Sequence, residues 1–171
     1  MSKVQAQAIM SLDGYVAKPD NTIGSLFDWL QNGEVAIPTP AGDFTVHLTP
    51  PSAEHWQRWV ASLGALVCGR TLFDVADGWQ GRHTLDVPVV VVTHRVSTDW
   101  VEAHPDAPFS FVTDGVEVAI ARARESPRIA SLPSPEGLSP GSAWTWGCWT
   151  RWPSTCIQGD RVTHLVFPVQ R

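Results

Sequence analysis

Three apolar runs in the sequence end abruptly in small, polar or cationic residues, and this feature constrains the fold more than any other. The first run spans residues 4–10 and is followed by a turn at 11–15. The second spans 63–68 with a turn at 69–73, and the third spans 88–92 with a turn at 93–95. In an open α/β sheet, ligands bind just beyond the carboxyl ends of the strands, so a site is expected at these junctions. Two of the turns offer an arginine and a threonine, which suit a phosphate-bearing ligand.

The rest of the chain alternates between predicted strands and helices. Strands are predicted at 4–10, 65–68, 87–92 and 108–112, and helices at 25–30, 52–63, 71–76 and 116–124. Ser25 and Ser52 are expected as N-caps of the first two helices. Residues 19–51 are otherwise expected to be mainly loop, because they are rich in Gly, Pro, Asn and Asp. The alternation predicts a single α/β domain over residues 1–171, with a mainly parallel central sheet flanked by helices.

Composition narrows the possible functions. The chain of 171 residues carries a formal charge of -5 and no long basic run, which argues against nucleic acid as a partner. No stretch approaches the roughly 18 apolar residues that cross a bilayer, so we expect no membrane span. The three cysteines and six histidines lack the spacings of a disulfide framework or a metal site. We therefore expect a protein of the reducing cytoplasm that holds no metal.

Residues 126–156 break the alternation of strands and helices. Their apolar residues follow neither the two-residue period of a strand nor the 3.6-residue period of a helix. Tryptophan is concentrated here, at Trp144, Trp146, Trp149 and Trp152. One interpretation is a Pro/Ser-rich linker followed by a tryptophan-rich surface patch. The other is translation out of frame: reading one nucleotide earlier turns the single tryptophan codon, TGG, into a codon for Leu, Val or Met. The shifted frame permits a strand, a Gly-Gly turn and a helix start, followed by a short helix, a Gly turn and a buried strand. This hypothesis predicts that 126–156 is poorly packed, with the frame restored near Ile157.

Four motifs follow one another along the chain. They are Ser-Leu-Asp-Gly-Tyr at 11–15, Val-Cys-Gly-Arg-Thr-Leu-Phe at 67–73, Pro-Val-Val-Val-Val-Thr-His at 88–94 and Phe-Val-Thr-Asp-Gly at 111–115. Together they resemble the dihydrofolate reductase-like superfamily, and most closely its branch related to the C-terminal reductase domain of bifunctional riboflavin-biosynthesis proteins. The resemblance implies a three-layer α/β fold that binds NADPH. Because the family's Gly-Gly turn and the strand after it appear only in the shifted frame, the C-terminal strands are expected to be incomplete.

The resemblance also implies roles for individual residues. The residues expected to bind the cofactor are Gly69, Arg70 and Thr71 at its phosphates, Thr93, His94 and Arg95 at the adenosine 2′-phosphate, and Ala8 beside the nicotinamide. The residues expected to border the substrate are Ser11, Leu12, Asp13 and Gly14, with Asp13 as the catalytic candidate. The implied activity is NADPH-dependent reduction of a small heterocyclic substrate, such as a pyrimidine ribosyl phosphate, by a possible homodimer. A non-catalytic or damaged family member, and a dimeric ligand-binding module without turnover, are the alternatives.

Several of these residues also have a purely structural interpretation. Asp13 is suited to an Asx turn in its loop, and Arg70 to an ion pair with Asp74 one helical turn on. Thr71 is suited to the N-cap of the helix that follows it. Cys68 lies within an apolar run and is expected to be an inert buried thiol.

Overall fold

The computed structural model describes residues 3–126, with side chains from Val4 onward, and the backbone of three later strands. The chain divides into two compact units, one formed by residues 1–6 and 62–146 and the other by residues 7–61 and 147–171. The strands are β1 (Lys3–Val4), β2 (Val35–Pro38), β3 (Thr45–Leu48), β4 (Leu66–Gly69), β5 (Val89–Val92), β6 (Phe109–Val112), β7 (Ser142–Ala143), β8 (Thr155–Gln158) and β9 (Thr163–Val166). The helices are α1 (Pro50–Ala61), α2 (Arg70–Val75), α3 (Thr98–Ala103) and α4 (Val116–Arg124), with short 3-10 helices at Gly24–Leu30 and Asp77–Gly81.

The first unit contains a parallel sheet of three strands in the order β4-β5-β6. The central strand β5 consists of four valines, and β-branched side chains of this kind favour strands covered on both faces. Val89, Val90 and Val91 are indeed all buried. The mixed α/β class predicted from the sequence, with parallel strands flanked by helices, is therefore confirmed.

Small residues cover one face of this sheet, and aromatic residues cover the other. On the first face, α4 packs through Ala119 and Ala123 against Val67, Val90 and Val112. The second face carries a cluster around Cys68 and two valines of β5 that includes the aromatic residues Phe73, Trp79, Trp100, Phe109 and Phe111. With both faces packed, the strand ends are the parts of the sheet that a ligand can approach.

The second unit is built around a β-hairpin and one helix. Strands β2 and β3 pair antiparallel, with Val35 opposite Leu48. Val46 and Leu48 of β3 are fully buried against Trp29 and its neighbours. Helix α1 begins at Pro50, a residue suited to the first helical position because its missing N–H would have no partner there. In the same unit, β8 and β9 pair antiparallel.

Two expectations for this unit are wrong, and one hairpin was not predicted. Residues 19–51 contain strands β2 and β3, whose four residues each are too few to show a clear sequence period. Ser52 is not the N-cap of its helix, since α1 starts two residues earlier and Ser52 is buried in the first turn. Ser25 lies inside the 3-10 helix, whose N-cap is Ile23.

The ends of the described chain differ in part from the sequence expectation. The first strand is shorter than predicted, since regular pairing covers only β1, which runs parallel to β7. At the C-terminal end of the described strands, β9 spans Thr163–Val166. The predicted poor packing of residues 126–156 lies outside the described residues, apart from Ser126 and the backbone of short strand segments. Within the described part of the chain, no helix combines the length and the apolar character needed to cross a membrane.

Candidate functional site

The turns that follow β4 and β5 are neighbours because these strands run parallel and in register. Gly69, the last residue of β4, pairs with Val92, the last residue of β5. The residues immediately beyond them, Arg70 and Thr93, therefore emerge at the same edge of the sheet. The first unit thus brings together six of the residues predicted from the sequence: Gly69, Arg70, Thr71, Thr93, His94 and Arg95.

The turn after β5 is closed by a threonine side chain. Thr93 is buried, and its Oγ1 donates to the Arg95 carbonyl oxygen at 2.8 Å. The Arg95 N–H in turn lies 3.2 Å from Thr93 Oγ1. A hydroxyl that bonds nearby backbone groups in this way offers the chain an alternative to the ladder of the sheet, so Thr93 ends β5 and fixes the turn. The side chains of His94 and Arg95 are exposed beyond it.

Arg70 connects this turn to α2. Its Nε donates to Asp74 Oδ1 at 2.7 Å, and its Nη1 donates to the Arg95 carbonyl oxygen at 3.2 Å. The guanidinium carbon also lies 5.9 Å from the ring centroid of Phe73, which is buried beneath it. The ion pair with Asp74 weighed in the sequence is therefore present, together with a contact to the neighbouring strand end. Since a guanidinium has five N–H donors, donors are left over for a ligand.

Gly69 and Thr71 are the two remaining predicted residues at the end of β4. Gly69 is the N-cap of α2 with extended backbone, and a Cβ built on it would meet none of the described residues within 4 Å. The strand end is thus open above Gly69. Thr71 is exposed in the first turn of α2, so the expectation that it caps this helix is wrong.

The predicted substrate loop belongs to the second unit. Ser11 closes this loop: its Oγ donates to the Tyr15 carbonyl at 3.1 Å and accepts from the Tyr15 N–H at 3.0 Å. Gly14 has a φ of 90° and donates its N–H to the Ser11 carbonyl at 2.9 Å. Asp13 and Leu12 are exposed. The turn therefore depends on the Ser11 hydroxyl and on the left-handed backbone of Gly14. Ala8 lies in the same unit and is half-buried.

Cys68 has no role at the strand ends. It is buried in the aromatic side of the sheet core, and burial raises the pKa of its thiol to about 12. Because the thiolate is the reactive form, this thiol is inert at neutral pH. The expectation of an inert buried cysteine is confirmed.

Sequence reasoning missed two partners of Arg70. Phe73 lies three residues on, a spacing that brings helical side chains together, so the contact could have been found from the pattern. The Arg95 carbonyl carries no sequence signal, because every residue has one.

The strand-end turns have the composition of an anion site. Two guanidinium groups and one carboxylate leave a net positive charge, and hydroxyl and backbone N–H groups lie beside them. In the described part of the chain no cluster of three or more His, Cys, Asp or Glu side chains could hold a metal ion. No protein-family model matches the chain, and no curated protein matches its sequence.

Proposed function

We propose that this chain is an NADPH-dependent reductase with a dihydrofolate reductase-like fold, acting on a small heterocyclic substrate. The observation that carries the proposal is the 3.2 Å hydrogen bond from Arg70 Nη1 to the Arg95 carbonyl oxygen. It joins two arginine-bearing turns at adjacent ends of a parallel sheet, the position where α/β proteins bind nucleotides.

The exposed polar groups at this edge fit the phosphates of NADPH. Arg95 is exposed and has no acidic partner among the described residues. We assign the adenosine 2′-phosphate to Arg95 and His94, and the linking phosphates to the turn at Gly69 and Thr71. Phosphate oxygens accept strong, charge-assisted hydrogen bonds from such donors. Among the described residues, none fills the space above Gly69, so a ligand has room to approach the backbone there.

When bound, the reduced nicotinamide supplies the hydride, and the protein supplies binding, orientation and exclusion of water. The family resemblance assigns Ala8 to the nicotinamide and the loop at Ser11 and Gly14 to the substrate. The Asp13 carboxylate is exposed, and the hydrogen bonds that close the loop join Ser11, Gly14 and Tyr15. It is therefore assigned to orient a polar substrate or to hold a proton near it.

The proposal is tested by thermal unfolding in the presence of NADPH. A ligand at about 100 times its Kd stabilises a protein by about 2.7 kcal/mol, which for a chain of this size raises Tm by roughly 5–10 °C. We expect this rise with NADPH and a smaller one with NADH, which lacks the 2′-phosphate. Arg95→Gln should reduce the NADPH response, whereas Arg124→Gln on the exposed side of α4 should not.

The outcome also separates the alternatives. A wild-type protein whose Tm does not respond to millimolar NADPH would refute the proposal and favour a non-catalytic family member. A clear response without oxidation of NADPH across a panel of pyrimidine and pterin substrates would favour a ligand-binding module without turnover.

A further inference from the structure

Arg70 is the residue that a motif-based interpretation assigns to the phosphate, yet its guanidinium is already engaged on three sides. Asp74 accepts from Nε at 2.7 Å, the Arg95 carbonyl accepts from Nη1 at 3.2 Å, and the Phe73 ring lies beneath the guanidinium carbon. The pair of Arg70 and Asp74 has no net charge. The net positive charge of the two turns is therefore that of Arg95.

The backbone of Arg95 is held at both of its polar groups. Its N–H is bonded to Thr93 Oγ1 at 3.2 Å, and its carbonyl oxygen accepts from both Thr93 Oγ1 and Arg70 Nη1. Thr93 is itself buried at the end of the central strand. A backbone fixed in this way restricts where the Arg95 side chain can reach, and preorganised charges bind anions at a lower entropic cost.

From this network we infer that Asp74 and Arg70 are positioning residues, which act through the Arg95 carbonyl to present the Arg95 guanidinium to a phosphate. Asp74 orients Arg70, Arg70 holds the β5 turn, and Arg95 carries the charge that the ligand meets. The inference rests on the proposed function only in taking the ligand's anionic group to be a phosphate. It assigns a positioning role to Asp74, a residue outside the set of site residues predicted from the sequence.

The sign of one mutational effect separates positioning from simple electrostatics. Asp74 is a carboxylate beside the proposed anion site, so electrostatics alone predicts that Asp74→Ala tightens anion binding. Positioning predicts the reverse: the variant binds inorganic pyrophosphate about five-fold more weakly, because one supporting hydrogen bond of the turn is lost. Isothermal titration with pyrophosphate measures this. Glu125→Ala is the matched control, since it removes an exposed carboxylate from the Arg122 ion pair at the end of α4 and should leave the affinity unchanged.

A second variant tests the role of Arg70 without removing its charge. Arg70→Lys keeps a cation but cannot bond Asp74 and the Arg95 carbonyl in the same fork-like geometry. We expect Arg70→Lys and Arg70→Gln to lose affinity to the same extent, and amide hydrogen exchange at Arg95 to accelerate in both. An Arg70→Lys variant that keeps wild-type affinity, or an Asp74→Ala variant that binds as tightly as wild type or tighter, would overturn the inference.

The probes distinguish failure of the inference from failure of the proposed function. Binding of pyrophosphate without binding of NADPH would refute the reductase and leave the positioning network intact. Absence of pyrophosphate binding by the wild-type protein would overturn the network's role in anion binding.

Discussion

The packing of α2 against the sheet gives a quantitative prediction. Phe73 has 3% of its surface exposed and packs edge-on against Trp100 and Phe111, with ring centroids 5.1 Å and 5.3 Å away. Replacing such a side chain with alanine removes its burial and leaves a cavity, at a cost of about 3–5 kcal/mol. For a chain of this length, Phe73→Ala should therefore lower Tm by roughly 6–20 °C.

The neighbouring residue on the same helix provides the control. Leu72 is 42% exposed, so Leu72→Ala should cost less than about 1 kcal/mol. Urea unfolding of both variants, with the same m-value as wild type, measures the difference. Equal destabilisation by the two substitutions would mean that α2 does not bury Phe73. The contact between the Arg70 guanidinium and a buried Phe73 ring would then be refuted as well.

Two further predictions concern positions away from the strand ends. Gly33→Ala should prevent correct packing of the β2-β3 hairpin, because its Cβ would overlap the Leu48 carbonyl carbon. A Cβ at Gly42 meets none of the described residues, so Gly42→Ala should cost only about 1–2 kcal/mol for its positive φ. Circular dichroism and urea unfolding would show the contrast, and a stable Gly33→Ala protein would contradict it. At pH 8, alkylation of Cys68 in the folded chain should be about a thousand-fold slower than in the denatured chain, because burial raises its pKa from 9.0 to about 12. Between pH 9.0 and about 12, the Cys68 thiol of the unfolded chain loses its proton while that of the folded chain keeps it. The free energy of unfolding should therefore fall as pH rises through this range. Peptide-resolved mass spectrometry and high-pH unfolding of Cys68→Ala measure the two effects, and a fast-reacting Cys68 would refute the assigned burial.

Strong local patterns made the central part of the fold predictable. The four valines of β5 favour a buried strand, and the apolar residues of α4 favour a helix, from their local pattern alone. The hairpin of β2 and β3 was not predictable in the same way, because its strands are short and its stability depends on the packing of Val46 and Leu48. Helix α3 was also absent from the sequence prediction.

The 3-10 turn at Asp77–Gly81 shows why some local structure cannot be derived from propensity. Trp79 and Gln80 have φ values of 48° and 52°, a region that non-glycine residues enter at a cost. Tertiary packing accompanies this conformation: Trp79 lies against His83, and the Trp100 indole lies directly over Gly78. Only the two glycines of the turn carry a sequence signal for it.

The candidate site was also predictable only in part. Arginine and threonine at two strand ends were visible in the sequence, and the register of Gly69 with Val92 follows from parallel pairing. The link from Arg70 to the Arg95 carbonyl was not visible, because it depends on a side-chain rotamer and a backbone acceptor. The sequence therefore predicts which side chains meet, and the geometry indicates which of them holds the others in place.

The most direct test of anion binding at the strand ends is a map of backbone amide chemical shifts during a titration with NADPH. The account predicts shifts concentrated at residues 69–71 and 93–95, with amides at the opposite strand ends, near 65 and 109, unchanged. Shifts confined to other parts of the chain, or no shifts at saturating NADPH, would contradict it.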